Sequence, residues 1–291
     1  MINFKPQKCQ HLNDALKLKS PKIFGDYILT QKWEGWYTTI LYDGFKFHPP
    51  KSSNNRTIPS LVWVTEKLND SMFSHDKPFM IIAEAYLEDT PFEILNGIFN
   101  RSKVECDCYD AVFKVHDIVP LDIAVPAMGR LLIASDFINR LNLPFLQYVP
   151  PLYIGEYDKG IWKHYFDLIT GEGGEGICMK RAGSFYQQGK RNADLLKDKI
   201  NCTRDLLAVE LEEGIGEKGN PSLTLISRRK NGTLVRTVIS KHSDQAMFRS
   251  NTESVIGKVV EIHAMEEYED GQLRQPVYKY IRYDKQPHEI D

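Results

Sequence analysis

Lys32 closes an apolar run and is followed, at two and three residues, by Glu34 and Gly35 in the stretch TQKWEGWY. A lysine there is either a solvated strand end or a nucleophile, and these residues alone do not decide. Other groups along the chain bear on the choice. Arg56 and Thr57 stand in the polar loop SSNNRTIP. Glu84 lies inside IIAEAYL, where a carboxylate among isoleucines and alanines is costly to bury without a partner. Glu175 and Gly176 lead into ICMK, which ends on Lys180, and Lys197 and Lys199 alternate inside the apolar LLKDKI. A last run, from Arg274 to Lys285, holds Arg282 and Asp284. Taken singly, each has an ordinary reading as a snorkelling lysine or a surface ion pair. Acids and bases that recur on inward-looking strands are harder to dismiss, because charges are seldom buried unless paired or functional.

The elements that must carry these residues follow from hydrophobic period. ILTQ (28–31) and WYTTILYDGFKFH (36–48) read as strands, the second turning at Asp43-Gly44. Ser60 to Phe73 reads as a helix capped by Ser60, and PFEILNGIF as another with Pro91 near its start. FMIIAEAYL and YDAVFKVHDIV read as strands, GRLLIASDFINRLNLP as an amphipathic helix stopped before Pro144, and KGIWKHYFDLI as a helix. GICMK and ADLLKDKI are short strands. From about Thr203 the helical period nearly vanishes. Five strand-like runs follow (RDLLAVELEE, SLTLISRR, TLVRTVIS, KVVEIHAMEEY and PVYKYIRYD), with turn signals at Asn231-Gly232 and Asp270-Gly271 and one helical interruption, HSDQAMFRS. Five short strands with one helix suit a small barrel of the oligonucleotide-binding kind, which sets a domain boundary between residues 202 and 203.

Composition narrows the class. The chain of 291 residues is 42% hydrophobic and 26% charged, ordinary for a globular protein. Its net charge of −2 does not advertise a nucleic-acid binder, although SRRK (227–230) and the stretch from Lys180 to Arg191 are locally basic. No apolar run is long enough to span a membrane, and MINFKPQKCQHLND lacks the apolar centre of a secretion signal. The five cysteines are scattered, and Cys106-x-Cys108 without a second pair is a poor zinc site. These features lead to the expectation of a cytoplasmic chain with reduced thiols.

In this order the motifs resemble those of the covalent nucleotidyltransferases, and among them the ATP-dependent DNA ligases of small viral or phage type. The resemblance runs from about Thr30 to Lys285. Lys32-Trp33-Glu34-Gly35 is similar to the family's first motif and Arg56-Thr57 to the next; Glu84 resembles the third, and the strand ending His116-Asp117 follows it. Glu175-Gly176-Ile177 through Lys180 resembles the fourth, Lys197-x-Lys199 the fifth, and Arg274 to Lys285 the sixth. The implied fold is α+β: a nucleotidyltransferase (adenylation) domain of antiparallel sheets with helices over 1–202, then a C-terminal OB-fold β-barrel over 203–291. The implied activity is ATP-dependent sealing of 3′-hydroxyl/5′-phosphate nicks in duplex DNA, in replication, repair or recombination.

The resemblance also implies roles. Lys32 would attack the α-phosphorus of ATP and become a lysyl-adenylate, which requires a depressed pKa. Lys197 and Lys199 would supply that depression and hold the α-phosphate, while Glu175 and Glu84 would bind Mg²⁺ or Mn²⁺ or the ribose. Thr30 and Gln31 would lie along the nucleotide, with His116 stacked on adenine and Phe113 in reserve. Arg282, Asp284 and Lys285 would orient pyrophosphate. Arg56, Arg228, Arg229, Lys230, Lys190 and Arg191 would meet DNA phosphates. Partners would be nicked duplex DNA and ATP, the chain a monomer away from any membrane, in a host cytoplasm if viral.

Three positions depart from the family pattern: Glu34 stands for aspartate, Tyr37 for arginine, and His116 for phenylalanine. Gly171-x-Gly173-x-x-Gly176 matches a dinucleotide fingerprint, but a helix precedes it and a strand follows, the reverse of what that motif needs. Competing readings are an RNA capping guanylyltransferase, an RNA ligase and a non-catalytic nucleic-acid clamp. Glu-Gly-Ile, where cappers carry Asp-Gly-Leu, tells against the first.

Overall fold

Strand alternation sorts the stretch from Phe79 to Tyr86 into two faces. Phe79, Ile81, Ala83 and Ala85 enter the main apolar core, while Met80 and Ile82 join a second cluster on the other side, where Glu84 also points. The computed structural model describes residues 4–17, 23–71, 73, 75–88, 90, 92–101, 108–200, 202–216, 219–268 and 270–291. Cys106 and the expected helix-starting Pro91 lie outside these. The chain forms two units, Met1–Lys199 and Ile200–Asp291.

In the first unit the order is β1 (Lys8–His11), α1 (Leu12–Leu16), β2 (Tyr27–Lys32), β3 (Trp36–Tyr42), β4 (Lys51–Ser52), α2 (Trp63–Asp70), β5 (Phe79–Tyr86) and α3 (Phe92–Phe99). It continues through β6 (Val112–Pro120), α4 (Ala127–Leu141), β7 (Leu146–Tyr148), β8 (Tyr153–Gly155), α5 (Lys159–Gly171), β9 (Gly176–Arg181) and β10 (Arg191–Lys199). Two five-stranded sheets result, β1-β10-β9-β2-β8 and β4-β3-β5-β6-β7. Only β1–β10 and β6–β7 pair in parallel among the described strands. Each sheet covers one face with helices. Trp162 and Ile169 of α5 and Leu12 and Ala15 of α1 pack on Tyr27, Leu29 and Ile177. Leu68 of α2, Phe99 of α3 and Phe137 of α4 pack on Ile81 and Val115. Asp158 caps α5 by accepting the Ile161 N–H at 2.8 Å, and Asn142, in a left-handed conformation, ends α4.

Several expectations need correction. Ser60 does not cap a helix: Pro59 opens a 3-10 turn, Pro59–Leu61, with Ser60 inside it, and α2 starts only at Trp63. The fixed φ of proline favours that tight start. Phe47 meets Tyr42 through a single bridge rather than a second hairpin strand, because Asp43 Oδ1 accepts the Phe45 and Lys46 N–H groups and tightens the turn. Strand β6, read as YDAVFKVHDIV, runs through His116-Asp117 to Pro120.

The second unit holds β11 (Cys202–Ile215), β12 (Pro221–Arg228), β13 (Leu234–Val238), α6 (His242–Ser250), β14 (Val259–Ala264), the short pair β15 (Glu266–Glu267) and β16 (Leu273–Arg274), and β17 (Val277–Ile281). Its sheet order is β13-β12-β11-β14-β17, all antiparallel. Leu206, Leu225, Val235, Val260 and Ile262 form its core. The two edge strands β13 and β17 approach each other across the sheet, with no hydrogen-bonded pair between them among the described residues. Phe248 of α6 enters that core against Tyr278 of β17. No helix among the described residues is long and apolar enough to cross a membrane.

Candidate active site

The register of three strands builds the floor of the site. β2, β9 and β10 pair so that Lys32 faces Gly176 and Gly176 faces Lys199. The next row on that face is Thr30, Cys178 and Lys197, and the next is Ile28, Lys180 and Leu195. The intervening residues Leu29, Ile177, Met179 and Leu196 go to the core on the opposite face. Across from this floor stand Tyr37, Ile82, Glu84, His116 and Asp117 of the second sheet, and together they bound a cavity of about 510 Å³.

Two glycines make the approach possible. Gly176 has φ +144°, and a Cβ there would lie 2.2 Å from the Asp198 carbonyl oxygen, so no side chain fits between the strands of Lys32 and Lys199. At Gly35 a Cβ would lie 2.8 Å from the Ala85 carbonyl oxygen and 3.0 Å from Glu84 Cβ. The missing side chain lets the loop after Lys32 lie against the strand of Glu84.

Charge at Lys32 runs opposite to expectation. Its Nζ donates to Glu175 Oε2 at 2.5 Å, and Lys199 Nζ lies 3.6 Å from Oε1 of the same carboxylate. Burial alone would pull the Lys32 ammonium down, but Cys178, Glu175 and Glu84 outweigh it and hold its pKa above the ordinary lysine value. The expected depression by Lys197 and Lys199 is absent because Cys178 and the two carboxylates, not cations, are its effective neighbours. Glu84 behaves conversely: burial, helped by the Glu175 charge and opposed by Lys32, pushes it up to about 8. Glu175 Oε1 is buried without a hydrogen bond. Two mutually repelling carboxylates with an unsatisfied oxygen fit a hard divalent cation such as Mg²⁺. No cluster of three or more protein ligands occurs among the described residues.

A bulge shapes the opposite wall. β5 and β6 pair Ile82 with Asp117 but Ala83 with Val115, leaving His116 as the extra residue. Hence His116 and Asp117, though adjacent, both line the cavity. Burial and the Lys180 charge lower the His116 pKa to about 3, so its ring is neutral near pH 7. Phe113, the reserve stacking residue, is fully buried in the main core and faces away. Asp117 accepts from Arg130 Nε at 2.8 Å and from Lys180 Nζ at 2.6 Å. Although burial opposes it, these two cations bring the Asp117 pKa down to about 2. Arg130 is 1% exposed and also donates to the Val125 and Ser184 carbonyls.

Of the residues singled out from the sequence, Thr30, Gln31, Lys32, Glu84, His116 and Lys197 line one cavity, with Glu175 and Lys199 buried beside Lys32. Tyr37 lines it as well, its hydroxyl buried beside Tyr186 without a hydrogen bond of normal geometry. Arg56 is exposed and donates to the Asn100 carbonyl, away from the cavity lining. Arg191 proves to be part of the cavity wall, while Lys190 is exposed. In the second unit, Arg282 and Lys285 both hold Asp205, and Arg282 also pairs with Asp284. Arg228 and Lys230 are exposed, whereas Arg229 is 9% exposed and bonded to Glu267 and the Gly271 carbonyl. That engagement removes Arg229 from the surface run.

The sequence reading missed Pro6 to Cys9, Arg130 and Cys178. Arg130 left a signal, since it occupies the apolar stripe of α4 three residues after Ala127 and four before Ala134. Cys178 could be found by alternation with Lys180. Strand β1, with a single apolar residue, offered none.

No family model matches the chain. Over 145 residues, 40% of this chain, it is 27% identical to the multifunctional non-homologous end joining protein LigD of Mycolicibacterium smegmatis, and that match spans 19% of LigD. Among solved structures, Pmar-Lig_Pre superposes with a TM-score of 0.77 at 19% identity, over 96% of this chain and 68% of that one. A structure from an analysis of Lig E DNA ligases gives 0.71 at 16% identity, over 97% and 100%. The ATP-dependent DNA ligase from bacteriophage T7 in complex with ATP gives 0.55 at 21% identity, over 97% and 99%. At such identities the likeness is one of fold: the chain has the α+β fold of the ATP-dependent DNA ligases.

Proposed function

We propose that this chain is an ATP-dependent DNA ligase. The observation that carries the reading is the row Lys32–Gly176–Lys199 at the cavity, with one carboxylate held between the two lysines. The Lys32 amine, once deprotonated, attacks the α-phosphorus of ATP; a P–N bond forms, pyrophosphate leaves, and the lysine carries AMP. The nick's 5′-phosphate takes the AMP from Lys32, and the 3′-hydroxyl then displaces AMP to close the strand. Lys197 and Lys180 face the same cavity and suit phosphate oxygens. Thr30 and the neutral His116 ring suit the adenine, which a π-face can stack.

Glu84 and Glu175 would hold a Mg²⁺ or Mn²⁺ ion, which would supply positive charge that competes for the carboxylate now holding Lys32. In the resting state that lysine is charged and unreactive. Arg282 and Lys285 are assigned to pyrophosphate in the first step, and the protein acts as a monomer in a cytoplasmic compartment.

The test is incubation with α-labelled ATP or GTP and Mg²⁺, followed by denaturing electrophoresis. The expected result is label retained from ATP alone, lost in Lys32→Ala and equally in Lys32→Arg, whose guanidinium does not deprotonate. Label from GTP would point to a capping enzyme, and none from either nucleotide to a non-catalytic clamp.

A further inference from the structure

The edge of the first sheet carries cations that no carboxylate among the described residues neutralises. β1 runs parallel to β10 with Lys8 beside Arg191, and the Lys8 N–H donates to the Lys190 carbonyl at 2.8 Å. Lys5 lies over Gly189, its Cδ 3.6 Å from where a Cβ would stand. Lys5, Lys8, Lys190 and Arg191 are all exposed, and no carboxylate pairs with any of them among the described residues. The nearby Asp194 is occupied by Arg181 at 3.0 Å and Gln187 at 2.5 Å.

Several arginines of the second unit, by contrast, are neutralised. There Arg204, Arg229, Arg236, Arg249 and Arg282 each hold a carboxylate. In a chain of net charge −2, acids are plentiful enough to cover a basic edge. Four like charges, Lys8 and Arg191 on adjacent strands and Lys5 and Lys190 in the segments leading into them, repel one another, and a bound polyanion relieves that cost.

Resting on the ligase reading above, we infer that Lys5, Lys8, Lys190 and Arg191 form a phosphate-binding ridge for the backbone of the nicked duplex. Two features favour DNA over the tail of a bound nucleotide. Lys8 and Arg191 reach the cavity wall, whereas Lys5 and Lys190 do not line the cavity, so the ridge extends beyond anything a nucleotide held there covers. The ridge is also continuous with the cavity, so a strand lying on it leads its terminal phosphate towards the adenylated lysine. The N-terminal strand is thereby a DNA-binding element.

The experiment titrates a fluorescent nicked duplex with the full chain at several salt concentrations, comparing wild type with Lys5→Gln/Lys190→Gln. Loss of two phosphate contacts lowers the slope of log K against log salt by about 1.8 and weakens binding roughly tenfold near ~0.15 M salt. Self-adenylation with labelled ATP stays at the wild-type level. Unchanged nick affinity and slope would overturn the ridge. So would weakened self-adenylation with unchanged DNA binding, which would assign these lysines to the nucleotide. Failure of the wild-type chain to self-adenylate at all sinks the ligase reading instead, so the two failures are distinguishable. A Lys8→Gln/Arg191→Gln pair, on the cavity side, is expected to weaken nick binding too, and unimpaired binding there would equally overturn the ridge.

Discussion

Lys32 and Lys199 share one carboxylate: Glu175 accepts from the first at 2.5 Å and stands 3.6 Å from the second. Its charge is one of those holding Lys32 protonated. Glu175→Gln should therefore lower the Lys32 pKa while abolishing adenylate formation, because the amine gains reactivity but the site loses a metal ligand. Reductive ¹³C-methylation followed by NMR titration reads the lysine directly. An unchanged Lys32 titration would show that Glu84 and Cys178 suffice.

The pairing of Arg282 and Lys285 on Asp205 bears on their assigned role. Removal of either should block self-adenylation yet spare sealing of a nick that already carries 5′-linked AMP, since pyrophosphate is absent by then. Parallel assays on plain and pre-adenylated nicks test this. Equal loss on both substrates would assign the pair to the stability of the second unit.

Asp117 gives a pH dependence with a definite sign. Its pKa falls from 3.8 to about 2 in the folded chain through Lys180 and Arg130. The unfolded state therefore holds the proton over that interval, and the contribution is fully present above pH ~3.9 and is lost as pH falls through the folded value. Asp117→Asn should cost about 3–5 kcal/mol at neutral pH, because the buried Arg130 and the half-buried Lys180 lose their partner. It should also flatten the acid limb of the stability curve between those pKa values. Urea titrations at a series of pH values measure both effects.

The basic run of β12 divides by burial. Arg228→Glu with Lys230→Glu should reduce nick sealing, measured near ~0.15 M salt, and leave unfolding nearly unaltered. Arg229→Glu should destabilise the second unit, because it places a carboxylate against Glu267. Thermal unfolding and nick sealing measured side by side separate the two outcomes. Normal sealing by the double variant would make this run a solvated strand end.

What was legible in the sequence follows from what alternation can encode. The faces of β9 and β10 are written in the alternation of GICMKR and ADLLKDK and that of β2 in the motif at the end of YILTQK, so the grouping of Thr30 with Lys32 and of Lys197 with Lys199 came from pattern and motif together. The pairing of Glu175 with Lys32 spans 143 residues, and no local period encodes it. Nor did composition indicate which arginines were spent: Arg228 and Arg229 look alike in SRRK, and only register and burial tell them apart. Strand β1 was invisible because KCQH has a single apolar residue, too short a pattern to show alternation, and is held by its parallel neighbour.

His116 gives β6 two phases. Upstream of it Phe113 and Val115 face the core; beyond it the core-facing residue is Ile118, one place later than unbroken alternation would allow. The strand's parity therefore depends on the number of residues at that point, not only on which residue stands there. Exchange of His116 for another side chain keeps Asp117 against Arg130. Deletion of His116 itself would restore an unbroken strand in which Val115 and Asp117 keep their faces, so that only the extra residue on the cavity wall is lost. A comparison of related chains at this position should count residues before it compares their identities.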